Sequence, residues 1–224
     1  ALVETPVVNA AGRLVGTITV DDVVHVIHEE EGEDYLRSGG VQSQDIQMNL
    51  MDTMKQRFPW LFINLLTAVL ASLVIGAYAQ TIEQLVALAV LMPIVASMGG
   101  NAGTQSVTVA VRALATKQLR GGRSWAAIRK ELLLGVVNGA ALALIMAAGA
   151  FMIYHDGWLA AVFGLATVLT LMIAGFSGAA IPILLSKLKI DPAVASGVFL
   201  TTVTDVVGFL SFLGLSALLL LGQS

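Results

Sequence analysis

Between Phe58 and Tyr78 the chain runs 21 residues without a charge, with Trp60 and Tyr78 near the two ends. An apolar helix of about 20 residues spans the hydrocarbon of a bilayer, and aromatic residues collect at its two interfaces. Four more such stretches follow. They are Gln84–Val111, Leu132–Tyr154, one within Gly157–Ser186, and one from about Pro192 to about Leu221 whose single charge is Asp205. In lipid each backbone N–H and C=O must be satisfied within the protein, and a helix does this segment by segment. The expected fold is an all-α polytopic membrane protein, with five transmembrane helices in residues 58–224. A chain that is 57% apolar and 12% charged, with mean hydropathy +0.85, agrees with that class, since soluble domains carry about 25% charged residues. Cysteine is absent, which excludes disulfides and thiolate metal centres. No basic-then-apolar signal sequence stands at the N-terminus, and the chain reads as starting in mid-domain.

The first 54 residues are different. They hold 10 acids against 2 bases, whereas the rest holds 5 acids against 10 bases. An acidic head on a basic-looped membrane body suggests a head that binds cations, and no nucleic-acid partner is expected. Residues 1–28 read as strand, turn, strand, helix. Thr5–Val8 is followed by the turn composition Asn9-Ala10-Ala11-Gly12, then by the β-branched Leu14–Val20, then by a helix that Asp21 is expected to cap. Residues 22–57 read as connecting helices. Within them Glu29, Glu30, Glu31, Glu33 and Asp34 form a dense acidic cluster. It reads equally as a solvated face or as a regulatory divalent-cation site, where hard cations join carboxylate oxygens and cancel their repulsion. Ile46–Arg57 is amphipathic and suited to the membrane surface.

All 12 bases fall on one side of a five-crossing path, and the connections Ala79–Glu83 and His155-Asp156 have none. By the positive-inside rule that side is cytoplasmic. The N-terminus is therefore expected inside the cell inner (cytoplasmic) membrane and the C-terminus outside.

Two features carry the chemistry. The first is Ser97-Met98-Gly99-Gly100-Asn101-Ala102-Gly103-Thr104-Gln105-Ser106, embedded in the second span behind Pro93. Glycine costs a helix interior about 1 kcal/mol against alanine, and proline removes a further hydrogen bond. The second helix is expected to break here and expose carbonyls, as in membrane ion sites. The alternative is tight packing, because Gly99 and Gly103 have GxxxG spacing. Asn101 and Gln105 favour a lined pathway. The second feature is Asp205, near mid-bilayer, where an aspartate costs at least ~2.5–3.5 kcal/mol. No span supplies a base to pair with it. Thr201 and Gly197 lie one and two turns away on its face. A lone carboxylate beside carbonyls is an all-oxygen, low-charge site that suits a hydrated hard cation such as Mg²⁺, which gives up its waters reluctantly. Mn²⁺ and Co²⁺ also accept oxygen ligands. A twofold dimer would set two such carboxylates about one axis.

Pro93 followed by GGNAGTQS (99–106), VRALAT (111–116) and DPAVASGVFLTTVTDVVGF (191–209), after TPVVNAAGRLVGTITVDDVV (5–24), resembles the MgtE family of magnesium transporters and channels. The N-terminal stretch is similar to the C-terminal half of a CBS domain. The resemblance implies a homodimer in the lipid bilayer with one pore lined by the second and fifth spans. It implies recognition of hydrated Mg²⁺ by Asp205, with the carbonyls of Ser97 and Gly100, and with Asn101 and Thr201 as neighbouring pore positions. Residues from about Asp22 to Arg37 would be a plug helix that closes the pore when Mg²⁺ binds, with Glu29, Glu30, Glu33 and Asp34 as regulatory ligands. With only half of a CBS motif, nucleotide binding is not expected, and a default-open pore is. An enzyme reading competes through Gly175-Phe176-Ser177-Gly178, which matches the GxSG of intramembrane serine proteases. Such a serine needs a histidine base within reach, and the only histidines, His25, His28 and His155, lie outside the spans. An aspartyl protease needs two carboxylates sharing a proton, which only a dimer axis would provide. Proton-coupled or broader divalent transport through Asp205 is the nearer rival.

Overall fold

The computed structural model describes residues 3–39, 48–119 and 123–219. Strands β1 (Glu4–Val8) and β2 (Leu14–Thr19) pair antiparallel, from Glu4 opposite Thr19 to Val8 opposite Leu14, with a bulge between Val7 and Val8. The turn is held by the Asn9 side chain, which accepts the amides of Ala11 and Arg13 at 3.0 Å each, and by Gly12 at φ +76°. An asparagine that hydrogen-bonds its own backbone and a glycine free to take positive φ are the usual reasons for such turns. Helix α1 (Val20–Ser38) follows directly.

The cap of α1 is Thr19 rather than Asp21. Asp22 accepts the Thr19 amide at 2.8 Å and the Thr19 hydroxyl at 2.7 Å, while the Asp22 amide donates back to that hydroxyl at 3.3 Å. This is a reciprocal capping box, with aspartate at the third helical position. The Thr19 amide and hydroxyl hold the Asp22 carboxyl below its ordinary value of 3.8. A depressed folded pKa means that the contribution is present above the unfolded value and lost as pH falls through the folded one. Hydrogen-exchange protection at the Thr19 amide is therefore expected to be full near neutrality and to fall below about pH 4. Equal protection factors at pH 7 and pH 2 would show that Asp22 does not hold that amide.

Five helices are long and apolar enough to cross a membrane. They are α2 (Leu50–Ala77), α4 (Ala87–Ala115), α5 (Arg123–Tyr154), α6 (Gly157–Lys187) and α7 (Pro192–Leu219). Each corresponds to an expected span, and most extend beyond it. The amphipathic stretch expected to lie apart is, from Leu50, the opening of α2, which continues through Pro59. Ile46 lies outside the described residues. A short helix not anticipated from composition, α3 (Ala79–Gln84), occupies the connection between the first two spans. Asp156 caps α6 by accepting the amides of Trp158 at 2.8 Å and Leu159 at 3.0 Å.

Helix α6 is the hub. It packs against α4, α5 and α7, while α2 rests on α7 at the periphery. This follows from its sequence, which is apolar all round rather than on one stripe, as suits a helix surrounded by others. At one end the core joins Leu88, Leu91 and Val95 of α4 to Leu159, Val162 and Phe163 of α6 and Phe212 of α7. The Phe163 and Phe212 rings meet at 5.6 Å. Where α5 meets α6, glycines remove the side chains altogether. A Cβ at Gly139 would lie 3.0 Å from the Val168 Cα, and Cβ atoms at Gly135 and Gly175 would collide with the carbonyls of Leu171 and Glu131.

The second span is not broken. Helix α4 runs continuously from Ala87 to Ala115, through Pro93 and through Gly99-Gly100. A break in hydrocarbon leaves peptide groups unpaired. The glycines are explained by close approach. A Cβ at Gly99 would lie 2.6 Å from the Thr170 Cγ2, and one at Gly103 would lie 2.7 Å from the Leu200 Cδ1. The packing reading thus accounts for Gly99 and Gly103, and the polar residues between them point elsewhere.

A polar wall on two helices

Packing the glycine side of α4 inward turns the other side out. Gly99, Gly103, Ser106 and Ala110 are buried, and Ser97, Asn101, Thr104, Gln105 and Thr108 are exposed. The exposed set recurs at three and four residues, so it forms one stripe along the helix. Thr104 and Thr108 donate to the carbonyls of Gly100 and Thr104 at 2.8 and 2.9 Å.

Helix α7 brings its own stripe alongside. Position 99 of α4 lies against Thr204, position 103 against Leu200, and position 208 of α7 against Ala96. By this antiparallel register Asp205 is level with about position 98 of α4 and Thr201 with about position 102. Thr201 is exposed and Asp205 half-buried. Gly208 and Phe212 continue the buried row of Leu200 and Thr204, while Phe209, one turn beyond Asp205 on its own side, is half-buried and apolar. The polar stripe therefore ends on Asp205, about 20 Å along a helix of 28 residues. Thr201 donates to the Gly197 carbonyl at 2.9 Å, and Thr204 donates to those of Leu200 and Thr201 at 3.1 and 3.2 Å.

The structure thus brings Asp205, Thr201, Ser97, Gly100 and Asn101 to one pair of neighbouring helices. It alters the part expected of one. Gly100 does not offer a free carbonyl, because its two lone pairs take the helical amide and the Thr104 hydroxyl. Ser97 has no hydroxyl residue four positions on, so its carbonyl keeps a lone pair beyond the helical bond.

The acidic cluster is less assembled. Helix α1 touches α7, and Glu33 is half-buried, whereas Glu29 and Glu30 are exposed. The Asp34 side chain lies outside the described residues. Among the described residues, no three acidic or histidine side chains converge closely enough to hold a metal.

Two residues behind the wall, Glu131 and Thr170, escaped the sequence reading. Ser106, buried on α4, donates to the Glu131 carboxylate of α5 at 2.7 Å. The signal was available, since an acid abutting a span needs a polar partner. Thr170 of α6 packs its methyl against Gly99 while its buried hydroxyl finds no partner among the described residues. Nothing in sequence marks it out. The GxSG serine, Ser177, donates to the Ile173 carbonyl at 2.7 Å, and its flanking Gly178 would set a Cβ 2.6 Å from Ser106. The motif is a packing surface, with no histidine in any span to activate it.

Comparison with known proteins agrees with this architecture. The model of a family described as divalent cation transporter, MgtE, matches residues 92–215, more than half of the chain and both polar stripes. Three curated proteins named magnesium transporter MgtE are similar. The one from Thermus thermophilus is 36% identical over 221 residues, covering 96% of this chain and 48% of its own length. The one from Enterococcus faecalis is 34% identical over 213 residues, covering 95% and 47%. The one from Bacillus subtilis is 34% identical, covering 94% and 47%. The chain spans about half the length of these relatives. A matching family model over most of the helical body, on a chain with five membrane-length helices, shows that it belongs to the MgtE family of divalent cation transporters.

Proposed function

We propose that this chain carries hydrated Mg²⁺ across the cytoplasmic membrane through a pore lined by α4 and α7. The observation that carries the reading is the exposed polar stripe at membrane depth, ending on the half-buried Asp205. Lipid is a poor neighbour for Asn101, Gln105, Thr201 and a carboxylate, and ionisable groups at such depth line water-filled paths. Water and a second copy of the chain cover the stripe in this reading, and the twofold axis sets two Asp205 side chains about one channel. Ser97, Asn101 and Thr201 contact the water shell of the ion with their oxygens. Three relatives named as magnesium transporters favour Mg²⁺ as the cargo. By the positive-inside rule the basic connections favour a cytoplasmic head, with the end of α7 outside. Helix α1 then acts as a plug from its seat on α7, with Glu33 half-buried. In this reading Glu29, Glu30, Glu33 and Asp34 hold a regulatory cation.

The test is ²⁸Mg²⁺ or dye-reported Mg²⁺ entry into liposomes holding the purified chain, with Mn²⁺ and Co²⁺ as competitors and with the proton gradient set or collapsed. Saturable Mg²⁺ entry that ignores the proton gradient is expected. Entry no faster than in protein-free liposomes would sink the reading, and entry that follows the gradient would replace the channel with a coupled transporter.

A further inference from the structure

Helix α5 opens with Arg123, Arg129 and Lys130 within its first eight residues. Arg123 alone stands in the first turn, where a cation opposes the helix dipole, and Arg129 and Lys130 lie about two turns further on. Glu131 is the adjacent acid, but it is engaged elsewhere, accepting the Ser106 hydroxyl of α4 at 2.7 Å. Arg129 and Lys130 are exposed and open onto a shallow groove of about 400 Å³, whose other lining residues are Ala126, Leu133, Leu134 and Val137. These positions repeat at three and four residues, so the groove follows one face of α5. It is cationic at one end and purely apolar along the rest. Leu133 is 57% exposed and Val137 64%, in the direction of the hydrocarbon, while Trp125, 62% exposed, stands at the charged end. Tryptophan there marks the headgroup level.

We propose that this groove binds an anionic phospholipid. The phosphodiester lies between Arg129 and Lys130, and one acyl chain runs along Leu133, Leu134 and Val137. The charge and shape are complementary to a lipid specifically. Free phosphate would use the two exposed cations alone and leave the apolar length of the groove unfilled. A second copy of the chain meeting this face about a twofold axis would oppose cations to cations. Basic side chains at the membrane surface next to apolar helix faces are how membrane proteins select anionic headgroups. The inference stands apart from the transport reading, because no residue of the polar wall takes part.

The experiment uses the full chain with Trp60→Phe and Trp158→Phe, which leaves Trp125 as the only tryptophan, in bilayers containing phosphatidylglycerol or phosphatidylcholine with brominated acyl chains. Bromine quenches indole fluorescence at short range. Phosphatidylglycerol is expected to quench at roughly tenfold lower mole fraction than phosphatidylcholine, the order of preference that two surface cations confer. Arg129→Gln with Lys130→Gln should abolish that preference, while the charge-keeping pair Arg129→Lys with Lys130→Arg should retain it. Equal quenching by the two lipids in the parent would overturn the proposal. So would a preference that survives in the double glutamine variant. Full relief of quenching by excess inorganic phosphate would reassign the site to a free anion, and efficient disulfide formation between copies carrying Val137→Cys would reassign the face to a protein contact.

Discussion

Mg²⁺-selective flux is expected to be lost, nearly completely, when Asp205 becomes asparagine. The amide keeps the volume and one hydrogen-bonding oxygen of the carboxylate and removes only its charge, so the loss isolates electrostatics from packing. A carboxylate and a divalent ion about 5 Å apart, with one water between, attract by roughly 2 kcal/mol at the dielectric of water and several-fold more at an effective value of 20. Even the lower figure is more than tenfold in occupancy, and a pore about a twofold axis loses two such charges. Asp205 is the only ionisable side chain on the described faces of α4 and α7 between Ser97 and Gly208, apart from Arg112 near the end of α4, so nothing nearby replaces it. Neutral changes along the same stripe, such as Asn101→Ala and Thr201→Val, remove single hydrogen bonds to the water shell and should reduce flux by smaller, graded factors. Flux assays in liposomes read all three. If Asp205→Asn carries Mg²⁺ at the parental rate with parental rejection of monovalent ions, the carboxylate is not the recognition element, and the polar wall serves something else.

The five spans were legible because lipid leaves so few alternatives. A run of 21 uncharged residues has one low-energy conformation in hydrocarbon, and length alone then sets its span. Helix ends were less legible. Leu50–Arg57 and Arg123–Glu131 continue α2 and α5 beyond the apolar runs, because backbone hydrogen bonding does not stop where hydropathy does. The glycine stretch was misread for a related reason. Helix propensity measured in water counts Gly99, Gly100 and Gly103 as breakers, but at Gly99 and Gly103 a neighbouring helix supplies the contact that the missing side chain permits, while position 100 is open. Which of the ten residues face inward was already implicit in the 3.6-residue period. A polar stripe ending on Asp205 was readable from the helical period. That Leu200, Thr204, Gly208 and Phe212 form the buried row beside it depends on where α4 and α6 cross α7, and that is tertiary information. The unpartnered Thr170 hydroxyl had no signature at all.

Gly135→Ala and Gly175→Ala should each unfold the helical body at markedly lower temperature, whereas Gly149→Ala on the same α5 should not. At Gly135 the place of a Cβ is already occupied by the Leu171 carbonyl, and at Gly175 by the Glu131 carbonyl. These obstacles are backbone, so no rotamer change makes room, and α5 and α6 must move apart. Forced overpacking of this kind costs about 1–3 kcal/mol and sometimes more. The penalty matters more in a bilayer than in water, because close packing is itself the main attraction between membrane helices. At Gly149 nothing lies within 4 Å of the added methyl, so the substitution keeps only the gain in helix propensity, up to about 1 kcal/mol. The same chemical change therefore carries opposite signs at positions 14 residues apart on one helix. Thermal unfolding in detergent, followed by tryptophan emission, measures both. The pair Gly135→Ala with Gly175→Ala should cost less than the two singles added together. A Cβ at position 175 would lie 3.6 Å from the Gly135 Cα, so separation forced by one change partly accommodates the other. Flux should fall with stability in the single variants, because α6 is also the helix whose Thr170 packs against Gly99, on the side of α4 behind the polar wall. Equal melting temperatures for Gly135→Ala and Gly149→Ala would mean that α5 and α6 do not meet backbone to backbone, and the route from this seam to the pore would go with it.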